Sequence, residues 1–271
     1  MVNSKKIHSI KYDLSIIIPV YNSQNILPKL INSIYFVLKK KIKSYEIILI
    51  NDYSHDNSWE IIKSLSFYYK SVKGINLSKN FGQHNAIMAG LNQCKGKNVI
   101  TMDDDLQHSP NNIIDIYNEL LKDFDVCYVD YLDRKHENWK IFFSYISNII
   151  SSFLLNKPLK IYCSSYKGFK DNIVKKIIKY KKSNVYIDGL ILSSTRNISM
   201  ISVPHYHRLE GKSNYNFSML FALWCNMAEN FPIKPFRFAT FLGLFFKFII
   251  IFLKKKSTYK KQYVIIDKTY K

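Results

Sequence analysis

The sequence predicts an α/β fold in which a mostly parallel sheet is flanked by helices. Short apolar runs of strand length alternate with segments whose apolar residues recur at helical spacing. Three of the apolar runs also stop on clusters of polar residues. Alternating strands and helices are typical of parallel sheets with right-handed crossovers, which bind ligands beyond the carboxyl ends of their strands.

The first two predicted strands are separated by an amphipathic helix. The apolar run Leu14–Val20 is the first strand, and Tyr21–Ser23 breaks it. A helical stripe follows, with apolar residues at i, i+4 spacing. Its members are Ile26, Leu30, Ile34 and Val37. The second strand, Glu46–Ile50, ends on the polar stretch Asn51–Asp56.

Two further strands complete the predicted parallel sheet. A second helix begins near Asn57, the third strand covers Gly74–Leu77, and a third helix lies around Ala86–Leu91. The fourth strand runs from Val99 to Met102 and ends on three carboxylates. We expect the polar clusters after the first, second and fourth strands to line one crevice.

The acidic run after the fourth strand suits a divalent cation. In extended backbone Asp103 and Asp105 share one side while Asp104 points away. Adjacent carboxylates repel each other, and Mg²⁺ or Mn²⁺ would relieve that repulsion through oxygen ligands, to which Gln107 could add an amide oxygen. Alternatively, the run is a solvated acidic turn that caps the helix starting near Pro110.

Bulk properties narrow the class of protein. The 271 residues, 47% of them apolar, are enough for about one large domain or two small ones with a real core. The net charge of +20 favours a polyanionic partner, either nucleic acid, an anionic membrane or phosphate-bearing substrates, although compositional drift towards Lys would give the same charge. The four cysteines form no C-x-x-C pair, which fits a reducing cytosol.

Five motifs carry a resemblance to a known family. They occur in the family's order and cover most of residues 14–240. The motifs are IIIPVYN at 16–22, INDYSHDNS at 50–58, NFGQHNAIMAG at 80–90, MDDDLQHSP at 102–110 and HRLEGKSNY at 207–215. Together they resemble family 2 glycosyltransferases of the GT-A fold, in the branch of dolichyl-phosphate mannose synthase and bacterial polyprenyl-phosphate sugar transferases.

The resemblance implies a set of site residues. The implied donor-binding residues are Pro19, Tyr21, Asn22, Asp52, Asn80, Gln83, Asp103 and Asp104, with Asp52 on the base or ribose. The implied metal ligands on the donor diphosphate are Asp103, Asp105 and Gln107, holding Mg²⁺ or Mn²⁺. The implied acceptor-phosphate residues are Arg134, Arg208, Lys212 and Ser213, and the implied catalytic residues are Asp188, Arg208 and Lys212.

This chain departs from the family pattern at three points. Tyr53 stands where the family usually has Gly after the aspartate of the second motif. Ser23 replaces the acid that commonly follows the Tyr-Asn pair. An arginine expected near Tyr131 is absent, although Arg134 remains. His84 and His108 lie beside motif residues, where either could contact substrate.

Asp188 bears on the kind of acceptor. Many family 2 members that act on sugar hydroxyls have an acidic residue at this point as general base, whereas a phosphate acceptor is already anionic and needs none. Asp188 therefore favours a hydroxyl acceptor if it is the base. The alternative is that it caps the N-terminus of the helix that follows.

The C-terminal part of the chain predicts membrane association. Residues Phe217–Phe231 could form an amphipathic helix on the bilayer, and Phe236–Leu253 has about the length of a spanning helix, interrupted by Arg237 and Lys247. The predicted domains are a GT-A catalytic domain at 1–215, a membrane-associated helical segment at 216–256 and a basic cytoplasmic tail at 257–271.

The resemblance implies a metal-dependent inverting transferase that moves a sugar from a nucleotide-sugar donor to a polyprenyl-linked acceptor, either polyprenyl phosphate or a lipid-linked saccharide. Such an enzyme would act in cell-surface glycan assembly at the cytoplasmic face of the cell membrane, with membrane lipids as partners and a possible homo-oligomer. The alternative is a non-catalytic basic protein that binds membrane or nucleic acid on a decayed transferase fold. The sequence lacks the aromatic or recognition-helix patterns of nucleic-acid binding.

Overall fold

The computed structural model describes residues 10–132, 148–149, 151–152, 157–204 and 261–270. The strands are β1 Tyr12–Val20, β2 Tyr45–Asn51, β3 Val72–Leu77, β4 Gly96–Thr101, β5 Val126–Leu132, β6 Lys167–Lys170, β7 Ile198–Pro204 and β8 Ile265–Lys268. The helices are α1 Leu27–Lys39, α2 Ser58–Tyr68, α3 Gln83–Leu91, α4 Asn112–Leu121, α5 Asp171–Ile177 and α6 Ile187–Ser194.

These strands form one sheet in the order β7-β5-β6-β4-β1-β2-β3-β8. Strands β1 to β4 are parallel, as the sequence predicts, and β5 and β7 run in the same direction. Only β6 and β8, among the described strands, run antiparallel to their neighbours. The result is a mixed α/β sheet whose parallel strands bring their carboxyl ends to one edge, here called the carboxyl edge.

Helices cover both faces of the sheet, so its central strands read as continuous apolar runs. Ile16 and Ile18 of β1 pack on one face with α1, α2 and α4, while Ile17 packs on the other with α3, α5 and α6. Side chains of a strand alternate between faces, so one apolar run supplies both cores. Because both faces are buried, the strands can be recognised in the sequence as short apolar runs between helical segments.

Pro19 lies near the end of β1, in the middle of the sheet, where a proline removes a ladder hydrogen bond. The pairing of β1 with β4 ends at Ile17 and Thr101, and Met102 N–H then bonds the Ile17 carbonyl. The missing N–H of Pro19 faces the same side as Ile17, beyond the end of β4. The proline is therefore tolerated, and it sits at the carboxyl edge.

The buried stripe of α1 differs by one position from the predicted one. Ile26 and Val37 are only partly buried at its margins. The fully buried residues of the helix are Leu27, Leu30, Ile31, Ile34 and Leu38. Pro28 lies in the first turn, where its missing N–H costs nothing, and fixes the start of the helix at Leu27.

Part of the predicted basic tail belongs to the main sheet. Residues Ile265–Lys268 form β8, which pairs antiparallel with β3 at the sheet edge. Beyond that strand, the Thr269 hydroxyl accepts a hydrogen bond from the Gly74 N–H at 2.8 Å. The end of the chain thus extends the sheet, in place of the separate tail expected at 257–271.

The two predicted membrane segments, Phe217–Phe231 and Phe236–Leu253, lie outside the described residues. In the part of the chain that the structure does describe, no helix combines the length and the apolar character that crossing a bilayer requires.

Candidate functional site

The polar clusters after β1, β2 and β4 meet at the carboxyl edge, because these three strands are neighbours in the sheet. The Tyr21 N–H donates to the Asp104 carboxylate at 3.2 Å, which links the first cluster to the third. The His55 N–H donates to Asn22 Oδ1 at 2.8 Å, which links the second to the first. The three polar clusters therefore lie together at one edge of the sheet, as the sequence predicts.

Each of the three clusters contains a residue other than glycine in the left-handed region. Asn22 has φ +54°, Tyr53 has φ +63° and Leu106 has φ +61°. Asn tolerates this conformation, but for Tyr and Leu it costs about 1–2 kcal/mol each. Backbone strain of this kind gathers at functional sites, where the surrounding structure maintains it.

The side chain of Asp103 is held from two sides. Its Oδ1 accepts a hydrogen bond from Gln83 Nε2 at 2.6 Å, and its Oδ2 accepts one from the Ser165 hydroxyl at 2.7 Å. Its N–H donates to Nδ1 of His108, a buried ring stacked 4.7 Å from Tyr166. These contacts orient the carboxylate into the crevice. His108 thus accepts a hydrogen bond from the backbone of Asp103, a role that the sequence did not predict.

The helix-capping alternative for the acidic run is wrong, and the extended backbone expected for its carboxylates is also absent. Helix α4 begins at Asn112 with Asn111 as its N-cap, so Asp103 does not cap it. The strand alternation also fails, because β4 ends at Thr101, before the acidic run, and Leu106 turns the chain. The positions of the three carboxylates are set by this turn.

Asp104 is turned towards the β1 loop. Its carboxylate accepts a 2.5 Å hydrogen bond from the hydroxyl of Ser23, besides the bond from Tyr21. The pKa of Asp104 is raised to about 6, mainly by burial; the hydrogen bonds from Ser23 and Tyr21 lower it in part, and the charges of Asp103 and Asp105 add to the rise. The family commonly has an acid at the position of Ser23. In this chain the Ser23 hydroxyl donates a hydrogen bond to Asp104, where a carboxylate would instead repel it.

The chemistry of the acidic run fits a divalent cation. Buried Asp105 accepts a hydrogen bond from the Gln107 N–H at 3.1 Å, and Asp103 precedes it by two residues, so several carboxylate oxygens lie in one short turn. Among the described residues, no three or more His, Cys, Asp or Glu side chains are grouped so that they could hold a metal ion by themselves. Asp103, Asp105 and Gln107 remain the predicted ligands.

Asp52 orders the loop between β3 and α3. Its two carboxylate oxygens accept hydrogen bonds from the N–H groups of Phe81 and Gly82, each at 2.8 Å. Burial raises the pKa of Asp52, and these two bonds lower it in part. Gly82 has φ +86° and also donates to Asn80 Oδ1 at 3.1 Å. These hydrogen bonds fix the loop, which places Gln83 beside Asp103. The predicted contacts of Asp52 and Asn80 with the nucleotide-sugar donor stay predictions.

Asp188 is not a helix cap. The N-cap residue of α6 is Tyr186, which makes no side-chain capping bond, and Asp188 lies in the first turn, buried against the sheet. Its Oδ1 forms an ion pair with the ammonium of Lys167 and accepts a hydrogen bond from the Tyr128 hydroxyl at 2.9 Å. Sequence reasoning missed Lys167, whose only signal is a lysine inside a short apolar stretch.

His84 lies between the acidic run and the Lys167–Asp188 pair. Its Nδ1 is buried without a hydrogen-bond partner among the described residues, and its ring is edge-on to Tyr186 at 5.3 Å. Burial lowers the pKa of His84 to about 4; the charges of Asp188 and Asp103 raise it and that of Lys167 lowers it. The imidazole is thus neutral near pH 7.

The low pKa of His84 predicts a pH dependence of stability. The folded-state pKa of about 4 lies below the unfolded value, so protonation favours the unfolded chain and stability is lost as the pH falls from about 6.5 towards 4. We expect the free energy of unfolding of the wild type, relative to His84→Asn, to rise by about 2 kcal/mol between pH 4.5 and 7. Urea unfolding at both pH values measures this. A constant difference would contradict the buried neutral imidazole.

Several predicted residues lie outside the described part of the chain. They are Arg134, Arg208, Lys212 and Ser213, together with the motif at 207–215. Their assignment to the acceptor phosphate and to catalysis stays a prediction.

A mixed α/β sheet with acidic side chains at its carboxyl edge corresponds to the GT-A class of nucleotide-sugar transferases. Solved structures of glucosyl-3-phosphoglycerate synthase from Mycobacterium tuberculosis share this fold. One holds Mn²⁺, UDP-glucose and phosphoglyceric acid, with a TM-score of 0.61, 14% identity and 82% of each chain covered. Another holds Mg²⁺ and UDP, with a TM-score of 0.60, 14% identity, 82% of this chain and 80% of that one covered.

The chain belongs to glycosyl transferase family 2, whose profile matches residues 15–178. Similar proteins include the undecaprenyl-phosphate 4-deoxy-4-formamido-L-arabinose transferases of Shewanella sediminis, 31% identical over 85% of this chain and 70% of that protein, and of Pseudomonas fluorescens, 29% identical over 89% and 73%. The resemblance to polyprenyl-phosphate sugar transferases and the prediction of a glycosyltransferase are both confirmed.

Proposed function

We propose that the protein transfers a sugar from a nucleotide-sugar donor to a polyprenyl phosphate, with inversion at the anomeric carbon. The single observation that carries this is the convergence of Tyr21, Gln83, Asp103 and Asp104 at the carboxyl edge of a family 2 fold. The names of the similar proteins give undecaprenyl phosphate as the acceptor of those enzymes. A phosphate-bearing acceptor is one of the anionic partners that the basic composition favours.

The donor diphosphate would bind at the acidic run. A divalent cation held by Asp103, Asp105 and Gln107 would act as a Lewis acid that neutralises charge on the leaving diphosphate. Gln83 and Ser165 keep the Asp103 carboxylate oriented before the substrate arrives, so less reorganisation is needed on binding. Arg208 and Lys212 are the proposed partners of the phosphate oxygens.

A phosphate acceptor agrees with the surroundings of Asp188. A phosphate oxygen is already anionic, so its attack needs no general base. Asp188 has both an ammonium and a phenol hydroxyl on its Oδ1, so this oxygen is already occupied by contacts within the protein. We therefore favour polyprenyl phosphate over a sugar hydroxyl as acceptor and assign Asp188 to the support of the site.

The path of the chain supports a lipid-linked acceptor. Strand β7 ends at Pro204 on the carboxyl edge, and β8 begins at Ile265, paired with Leu77 at the carboxyl end of β3. The two strands lie at opposite ends of the sheet, about 34 Å apart at ~4.8 Å per strand spacing. The apolar sequences at 217–231 and 236–253 therefore connect two points on the edge that carries the acidic run.

A transfer assay tests the proposal. The full chain, in detergent or nanodiscs with undecaprenyl phosphate and Mn²⁺, is offered a panel of UDP-, GDP- and CDP-sugars that includes UDP-4-deoxy-4-formamido-L-arabinose, and lipid-linked sugar is measured by mass spectrometry. We expect product with at least one donor, and none after EDTA treatment. The proposal is wrong if no donor is used under conditions in which the Shewanella sediminis enzyme works.

A further inference from the structure

Three aromatic side chains form a partly exposed cluster at the carboxyl ends of β1 and β2, here called the tyrosine–histidine cluster. It consists of Tyr21, Tyr53 and His55. The ring of His55 is edge-on to Tyr53 at 5.5 Å and to Tyr21 at 6.4 Å between centroids. Tyr21 and Tyr53 remain 45% and 44% exposed, so a large part of their ring surface is open to solvent.

The backbone at Tyr53 shows that the fold does not require a tyrosine there. Its φ of +63° is a conformation that glycine adopts freely and that an aromatic residue rarely adopts. The family motif usually has glycine at this position, and the chain keeps a glycine-like conformation while placing a large side chain on it. Since 44% of that side chain is exposed, burial in the core does not offset the strain. A ligand that packs on the exposed ring would account for keeping it there.

The cluster lies beside the acidic run. The N–H of Tyr21 donates to the Asp104 carboxylate, and the N–H of His55 donates to the side chain of Asn22. A molecule with a diphosphate at the acidic run and a flat apolar end could therefore reach the tyrosine rings, since both lie at the carboxyl ends of neighbouring strands. A nucleoside diphosphate has this shape and charge distribution.

We propose that Tyr53, together with Tyr21, is a stacking surface for the nucleobase of the donor, which makes Tyr53 a donor-binding residue particular to this chain. The proposal rests on the proposed function, because it needs a nucleotide donor. Stacking of a base on an aromatic ring tolerates different bases, since every base has a π-face. The contact would therefore strengthen nucleotide binding broadly and leave the diphosphate subsite unchanged.

The test compares ligands with and without a base. Binding of UDP, GDP and inorganic pyrophosphate is measured by calorimetry on the full chain with Mn²⁺, for the wild type, Tyr53→Gly and Tyr53→Phe. Tyr53→Gly suits the left-handed backbone, so the variant keeps its fold, and its thermal unfolding midpoint should equal or exceed that of the wild type. Tyr68→Ala is the matched control, because this tyrosine is 77% exposed at the far end of α2.

We expect Tyr53→Gly to weaken UDP and GDP binding by about 10-fold, within the 5- to 150-fold that stacking on a ring provides. Pyrophosphate binding should not change, and Tyr53→Phe and Tyr68→Ala should bind like the wild type. The inference is overturned if Tyr53→Gly binds UDP as tightly as the wild type, or if pyrophosphate weakens equally. Failure of the wild type to bind any nucleoside diphosphate with Mn²⁺ would instead overturn the proposed function itself.

Discussion

Replacement of Asp103 by asparagine is expected to lower sugar transfer by about 100-fold or more, the range seen when one preorganised electrostatic contact to developing charge is lost. The change removes the negative charge that would hold the cation. It also places an amide in a position that accepts hydrogen bonds from both Gln83 and Ser165. Transfer rates measured across a Mn²⁺ titration should show a higher metal concentration at half-maximal activity as well as a lower maximum.

The control for this variant is Asp123→Asn, an exposed aspartate in the turn after α4, remote from the acidic run. It should retain the wild-type rate and the wild-type Mn²⁺ dependence. Thermal unfolding of both variants without metal separates loss of the site from loss of the fold. Wild-type turnover by a double Asp103→Asn/Asp105→Asn variant in EDTA would refute the assigned role of the acidic run.

Replacement of Lys167 by methionine is expected to destabilise the protein by about 3–5 kcal/mol, because it leaves the buried carboxylate of Asp188 without its counter-charge. The double variant Lys167→Met/Asp188→Leu removes both charges and should recover most of this loss, since an apolar pair of similar volume needs no desolvation of ions. Urea unfolding measures both. Lys63→Met, which breaks the exposed pair with Glu60, should change stability by less than about 1 kcal/mol.

The activity of that double variant distinguishes the two kinds of acceptor. If polyprenyl phosphate is the acceptor, the reaction needs no general base, and transfer by the double variant should stay within about 10-fold of the wild type. If Asp188 is a general base for a sugar hydroxyl, transfer should fall by about 100-fold or more despite restored stability. The second outcome would return Asp188 to the catalytic role that its sequence context suggested.

Much of the fold could be predicted because its strands are buried on both faces. The runs at Leu14–Val20 and Glu46–Ile50 each became a central parallel strand, extended by one or two residues. The antiparallel strands were harder to find. β6 is only four residues long, Lys167–Lys170, and β8 lies in what looked like a basic tail, so neither has a clear local pattern. Their place depends on which strand edges are open in the folded sheet.

The carboxylates of the site show a similar division. Their presence at one edge followed from the order of strands and polar clusters. Their individual surroundings did not, because the partners are remote in sequence: Ser23 for Asp104, Ser165 for Asp103 and Lys167 for Asp188. Local reasoning offered helix capping for Asp188, since a partner 21 residues away is invisible to it.

The sequence by itself determined the alternation of strands and helices, the family and the edge at which polar groups gather, because local apolar periodicity and ordered motifs encode all three. Only the tertiary structure decided which donor binds each carboxylate. It also decided how the left-handed residues orient Tyr53 and the acidic run, and that Ile265–Lys268 pairs with β3. Those features arise from contacts between strands and helices that become neighbours only when the chain folds, so no stretch of sequence carries them alone.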